Sequence, residues 1–180
     1  GAGIGGGYDE SGSNITISGG SVKASSISCP PTLADGTTKV YLYKIDTSSS
    51  PSSITIDGVA YPTTHNTETY IYPYLSAGFH TIVKDGSTTE VIYMDNSGNA
   101  TSYSPVTVGA FEVYGETSAY SYSETNKVLT VSGENPLMIK NASTGSTTDR
   151  IEVADGIGAN ITLAGVDIAL SGLFIAAFNI

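Results

Sequence analysis

Tryptophan is absent from this 180-residue chain, cysteine occurs once, at Cys29, and lysine and arginine together number seven against 17 aspartates and glutamates. A lone cysteine excludes an intrachain disulfide and a cysteine-type zinc site, so Cys29 reads as a small buried hydrophobe. The net charge of −10 argues against nucleic acid or an anionic membrane surface as partner, because both reward Lys and Arg. An acidic balance by itself serves solubility and names no partner. Hardly any window has a helical period. No stretch combines the length and flanks of a signal peptide or membrane span. The most apolar tract, "ITLAGVDIALSGLFIAAFNI", carries Asp167 and several glycines on a short period, which predicts strands and no membrane span. The chain does not begin with Met, as expected of a processed or trimmed chain.

What is present is Ser, Thr, Gly, Asn and Tyr, a mixture that suits pleated surfaces. Strand-like runs such as "KVYLYKI", "FHTIVK", "AFEVYG", "KVLTVSG" and "DRIEVA" are separated by Asp35-Gly36, Asp57-Gly58, Asp85-Gly86, Ser97-Gly98 and Asp155-Gly156. These dipeptides supply the positive φ that tight turns need. The chain is therefore expected to be all-β. Its first residues fit G-x-G-x-x-G through Gly1, Gly3 and Gly6. A dinucleotide loop follows a buried strand and opens a helix, whereas here "NITISGGSV" follows, so the glycines read as backbone-close corners.

Two textures divide the chain. From about Thr38 to Val108 the strands alternate and carry Tyr, the pattern of a half-buried sandwich. Both ends are glycine-rich with short strands, and "NITISGGSV" near the start is echoed by "NITLAGVDI" near the end. Recurrence of one rung-like unit suggests a solenoid. The expected architecture is β-solenoid (parallel β-helix-like) segments at both ends, 1–28 and 110–180, with an inserted antiparallel β-sandwich module, 29–109.

"GAGIGGGYDESGSNITISGG", "YSYSETNKVLTVSGENPLMI" and "TTDRIEVADGIGANITLAGVDI" resemble repeat segments of large secreted and cell-surface proteins of gut-type Gram-positive bacteria. Those proteins are built on parallel β-helices, some grouped as carbohydrate-binding β-helix domains. The intervening "ITIDGVAYPTTHNTETYIYPYLSAGFHTIV" looks like the small sandwich that punctuates them. The resemblance implies an extracellular or bacterial cell-surface location. In those proteins, segments like the C-terminal one begin a β-helix and segments like the N-terminal one come late. Here that order is reversed, as expected of a piece of a longer repeat protein or of a subunit whose two ends meet neighbours.

Chemistry-bearing patterns are sparse. His65 and His80 lie in no metal-spaced cluster, there is no G-x-S-x-G elbow, and Asp46, Asp57 and Asp95 have no spacing that implies paired carboxylates, so no enzyme is expected. His80 reads as an ordinary surface or partly buried strand residue. Four N-x-[ST] matches, at Asn14, Asn99, Asn141 and Asn160, are what a Thr-rich β protein gives by chance. Asp95, Asn96 and Asn99 form a compact oxygen-rich loop that suits calcium but is first of all a turn. No other cofactor is expected. Tyr70, Tyr72 and Tyr74 fall two apart, on one face of a regular strand. They are candidates for a glycan platform, a subunit interface or plain packing, and Pro73 among them marks an edge or bulge. Writing the C-terminus before the N-terminus gives a continuous run of short strands and glycine corners. Leu170, Leu173, Phe174, Ile175, Phe178 and Ile180, meeting Gly1, Gly3 and Ile4, are therefore the expected joint of a head-to-tail assembly with a second copy or with neighbouring repeats. The function expected is a non-enzymatic structural one, as a stalk, adhesin segment or filament subunit. A carbohydrate-binding module is the alternative.

Overall fold

The computed structural model describes residues 3–4, 13–170 and 178–179. They are all-β, with a single 3-10 turn at Thr117–Ala119. Among the described residues no helix is long and apolar enough to cross a membrane. The chain divides into two compact units, Gly1–Ser102 and Tyr103–Ile180. Boundaries at 28 and 109 are expected from the sequence; within the first unit the N-terminal segment packs with the strands that follow it.

The first unit contains β1 (Val40–Leu42), β2 (Ile45–Asp46), β3 (Ile54–Ile56), β4 (Val59–Tyr61), β5 (Tyr70–Ile71), β6 (Tyr74–Ser76), β7 (Gly78–Lys84), β8 (Ser87–Met94) and β9 (Ala100–Tyr103). One sheet has the order β4-β3-β7-β8-β9. Its β3–β4 and β7–β8 connections are the two-residue loops Asp57-Gly58 (φ 51° and 78°) and Asp85-Gly86 (φ 51° and 75°). Both dipeptides therefore make the primed turns whose twist matches flanking strands.

Opposite this sheet, β1 pairs antiparallel with β6 and β2 with β5. The two ladders share one register, with Tyr43 opposite Pro73. Tyr43 N–H donates to Pro73 O (2.8 Å), but proline has no N–H to return, so the pairing is interrupted there. Ile45, Ile71 and Leu75 from these strands meet Ile54, Ile56, Ile82, Ile92 and Met94 from the larger sheet in one buried core. Each such side chain contributes about 1.5–3 kcal/mol by leaving water.

The second unit contains β10 (Val106–Val108), β11 (Phe111–Tyr114), β12 (Tyr120–Ser123), β13 (Val128–Val131), β14 (Leu137–Asn141), β15 (Arg150–Val153), β16 (Ile161–Leu163) and β17 (Phe178–Asn179). They form two four-stranded sheets, β10-β11-β14-β16 and β12-β13-β15-β17. Phe111, Val113, Leu137 and Ile139 from the first sheet pack with Tyr120, Leu129, Val131 and Ile151 from the second. The pairing changes character across each sheet. β10–β11–β14 and β12–β13 are antiparallel, whereas β14–β16, β13–β15 and β15–β17 are parallel.

Candidate functional site

Alternation along 70–75 turns Ile71 and Leu75 into the core of the first unit and sets Tyr70, Tyr72 and Tyr74 on the opposite face. That face is covered by the N-terminal segment. Tyr74 and Val40 are buried with Ile17, and Ile15, Val22, Ile27 and Leu33 pack around them. Val22 N–H donates to Tyr72 O (2.9 Å), and Tyr72 N–H donates to Ser21 Oγ (2.9 Å). These bonds add the segment to the free edge of the strand. Lys23 Nζ binds both oxygens of Glu68 at 2.7 and 2.9 Å, Tyr72 OH donates to Glu68, and the Lys23 ammonium lies 5.2 Å from the Tyr72 ring. The hydrogen bond from Lys23 holds the Glu68 carboxyl below its ordinary value. Only Tyr70 remains on the outer part of the stripe, half-buried under Lys44 Nζ at 3.6 Å. The three rings are brought to one face, but Tyr72 and Tyr74 are only 8% exposed, which leaves no flat aromatic platform there.

In the 95–99 loop, Asp95 Oδ1 accepts from Ser97 N (2.7 Å) and Asn99 N (2.8 Å), and Oδ2 accepts from Asn99 Nδ2 (2.8 Å). The Asn99 side chain, then the loop amides, hold this carboxyl below its ordinary value. Asn96 contributes its carbonyl to Tyr41 OH. The structure thus brings Asp95 and Asn99 together as an Asx turn in which each carboxylate oxygen already has a donor.

Of the expected joint, Gly1, Leu173, Phe174, Ile175 and Ile180 lie outside the described residues. Leu170 is half-buried, and the Phe178 backbone pairs beside Ile151. At the other end Ile4 bridges Ile27 in parallel, with Ile4 N–H on Ser26 O (3.0 Å) and Ser28 N–H on Ile4 O (3.2 Å). A Cβ on Gly3 would stand 2.7 Å from Ser26 O and 2.8 Å from Ser25 N. Glycine at this position lets two backbones touch.

Among the described residues the two sheets of the second unit end in β10 and β16 and in β12 and β17. Asn160 O and Ala164 N point at β14, bonding Leu137 N and Ile139 O at 2.9 Å each. By alternation the N–H and C=O of Ile161 and Leu163 face away from the sheet. Leu163 is 49% exposed, and among the described residues β16 and β17 each have a strand neighbour on one side only. Outward-facing backbone groups of this kind accept a further strand.

A different arrangement surrounds His80, a β7 residue only 7% exposed. Its Nδ1 lies 2.7 Å from Asp57 Oδ2 and its Nε2 2.8 Å from Ser76 O. Two acceptors call for a proton on each nitrogen, so the surroundings favour the imidazolium form. Burial, the largest single influence, opposes the charge. The Asp57 hydrogen bond, the Ser76 carbonyl and the Asp57 charge together outweigh it and raise the pKa above the ordinary histidine value. Asp57 Oδ1 also accepts from Thr81 N (2.8 Å), so the β3–β4 turn is bolted to β7. Beside this pair is a hollow of about 180 Å³ lined by Ser18, Leu33, Ile56, Asp57, Val59, Tyr61, Tyr74, Leu75, Ser76 and His80.

No protein family, curated protein or solved structure matches this chain. Its chemistry is therefore read from its own residues. Sequence inspection treats His80 as an ordinary strand residue and misses its partner. The available signal is the Asp57-Gly58 dipeptide: a hairpin turn leaves the Asp side chain free to reach the neighbouring strand. The other histidine, His65, places Nδ1 3.0 Å from Ser21 Oγ. That oxygen also accepts from Tyr72 N, and both Glu68 oxygens are taken by Lys23 and Tyr72, so these residues clamp the N-terminal segment.

Proposed function

We propose that the chain is a non-enzymatic, extracellular structural protein of the bacterial cell surface, a stalk or adhesin segment or a filament subunit, in which β-solenoid segments flank an antiparallel β-sandwich. One observation carries the reading, the switch from antiparallel to parallel pairing in both sheets of the second unit. From β13 onward the chain alternates between the sheets, and each return lays a strand parallel to the previous one. Leu129 lies beside Ile151, an offset of about 22 residues, within the roughly 20–50-residue period of solenoid rungs. A rung cannot bury its own apolar face and depends on stacking for stability. The antiparallel strands read as a cap at one end, and β16 and β17 as the end that takes the next rung.

The partner on this reading is a parallel strand of the same kind, from a second copy joined head to tail or from a neighbouring repeat of a longer chain. The covered tyrosine face fits packing better than ligand capture, which supports the structural reading over a carbohydrate-binding module built on that stripe. Leu163→Pro is the test, because proline there removes an outward N–H and leaves the β16 bonds to β14 intact. Electron microscopy should show rods or filaments for the native chain and folded, separate particles for the variant. A native chain that stays monomeric and globular at high concentration would overturn the filament reading.

A further inference from the structure

We propose that the hollow beside Asp57 binds one neutral sugar ring of the hexopyranose type. The inference goes beyond the structural role and stands whether or not the chain assembles. Size comes first: about 180 Å³ is well below the roughly 300–1,000 Å³ of sites for drug-sized ligands, so the space fits a single ring.

The walls match an amphipathic ring. Exposed Val59 and half-buried Tyr61 supply apolar surface over buried Ile56 and Leu75, and Asp57, Ser18 and Ser76 supply polar atoms. A pyranose has an apolar C–H face that packs against an aromatic ring and an equator of hydroxyl donors. Asp57 is prepared for those donors. A carboxylate offers about four acceptor positions; Thr81 N and His80 Nδ1 take one on each oxygen, and the side chain is still 47% exposed. The primed turn at Asp57-Gly58 and the two anchoring bonds fix the carboxylate before any ligand arrives, which lowers the ordering cost of binding.

Charge selects among hydroxyl compounds and their competitors. The buried His80 imidazolium already balances Asp57, so an ammonium ligand would gain little from the carboxylate and would be repelled by the imidazolium. An acidic sugar would meet the Asp57 carboxylate and a chain of net charge −10. A neutral ring avoids both penalties.

Saturation-transfer NMR with the methyl glycosides of glucose, galactose, mannose and N-acetylglucosamine at millimolar concentration tests the proposal on the full chain. At least one should bind and shift the amides of Gly58, Val59 and Tyr61. Cyclohexylamine and methyl glucuronide should not displace it. The matching disaccharide distinguishes two sources of the ring. Equal or tighter binding identifies the end residue of a glycan, and weaker binding a free monosaccharide. Tyr61→Leu removes the ring face, and Val59→Arg, at a position 61% exposed, covers the mouth without touching the core. Each should weaken binding tenfold or more, Val59→Arg at an unchanged melting temperature and Tyr61→Leu with a lower one, because Tyr61 also packs against the core. Failure of all four glycosides to bind, shifts confined to other residues, or affinity unaltered in Val59→Arg would overturn the site.

Discussion

Replacing Gly109 with Ala should destabilise the second unit by several kcal/mol, and the loss can be apportioned from the structure. Gly109 sits in the turn between β10 and β11 with φ +55°, where a side chain is strained. That backbone term is about 1–2 kcal/mol. The added Cβ would also stand 2.6 Å from Asp149 Oδ2 and collide with the Tyr122 phenol. Asp149 is 7% exposed and takes donors from Tyr122 OH and from Ala110 N at 3.0 Å. Burial first, then the bond to Asp149, raise the Tyr122 pKa far above the phenol range, so the hydroxyl stays a donor. Losing a hydrogen bond to a charged acceptor costs about 1.5–3 kcal/mol. Together the terms reach about 2.5–5 kcal/mol, a large share of the roughly 5–15 kcal/mol that holds a typical domain. Gly156→Ala isolates the backbone term, because φ there is +76° and a Cβ would have nothing within 4 Å. Tyr122→Phe isolates the hydrogen bond. Urea unfolding followed through amide exchange of β13 and β15 measures all three. If Gly109→Ala costs no more than Gly156→Ala, the crowding argument is refuted.

Other outcomes follow from the same geometry. The raised pKa of His80 means that the stability it contributes is complete below the unfolded histidine value and is lost as pH rises through the folded one. Asp57, for which burial is the largest influence but is outweighed by the bonds from His80 and Thr81, has a lowered pKa; its contribution is present above the unfolded carboxyl value and is lost on acidification. The melting temperature of the first unit should therefore fall as pH rises above the ordinary histidine value, and His80→Gln should flatten that limb. A native protein with no such limb would contradict the doubly bonded imidazolium. Tyr74→Ala should cost about 3–5 kcal/mol as a large-to-small change in a packed cluster, and Tyr70→Ala about 0.5–1 kcal/mol for the contact with Lys44. Equal costs in denaturant titrations would mean that the N-terminal segment does not cover Tyr74. The buried Tyr120 hydroxyl has no hydrogen-bond partner among the described residues, so Tyr120→Phe should be neutral or stabilising by about 1 kcal/mol, measured by the same titration.

Local chemistry made part of this protein legible from residue order alone. Positive φ at Asp-Gly is a property of two residues, so the hairpin turns at 57–58 and 85–86 could be placed in advance. Period-two alternation likewise separates Ile71 and Leu75 from Tyr70, Tyr72 and Tyr74, because successive strand residues point to opposite faces. Pairing is not a local property. Nothing in "KVLTVSG" or "DRIEVA" states that these strands lie parallel, since the choice depends on how the intervening chain crosses to the other sheet and back. The tyrosine face could be recognised as a face but not as a covered one, because its cover comes from Ile15 to Val22, some fifty residues upstream. His80 is the sharpest case. Its sequence neighbours mark an ordinary strand, and its charge is set by Asp57 and Ser76, which share no local pattern with it. Only the antiparallel packing of β3 on β7 brings the turn carboxylate to one side of the buried ring, whose other side meets the Ser76 carbonyl four residues back. Turns and faces are encoded within a few residues, whereas partners, burial and charge state arise from contacts between distant segments.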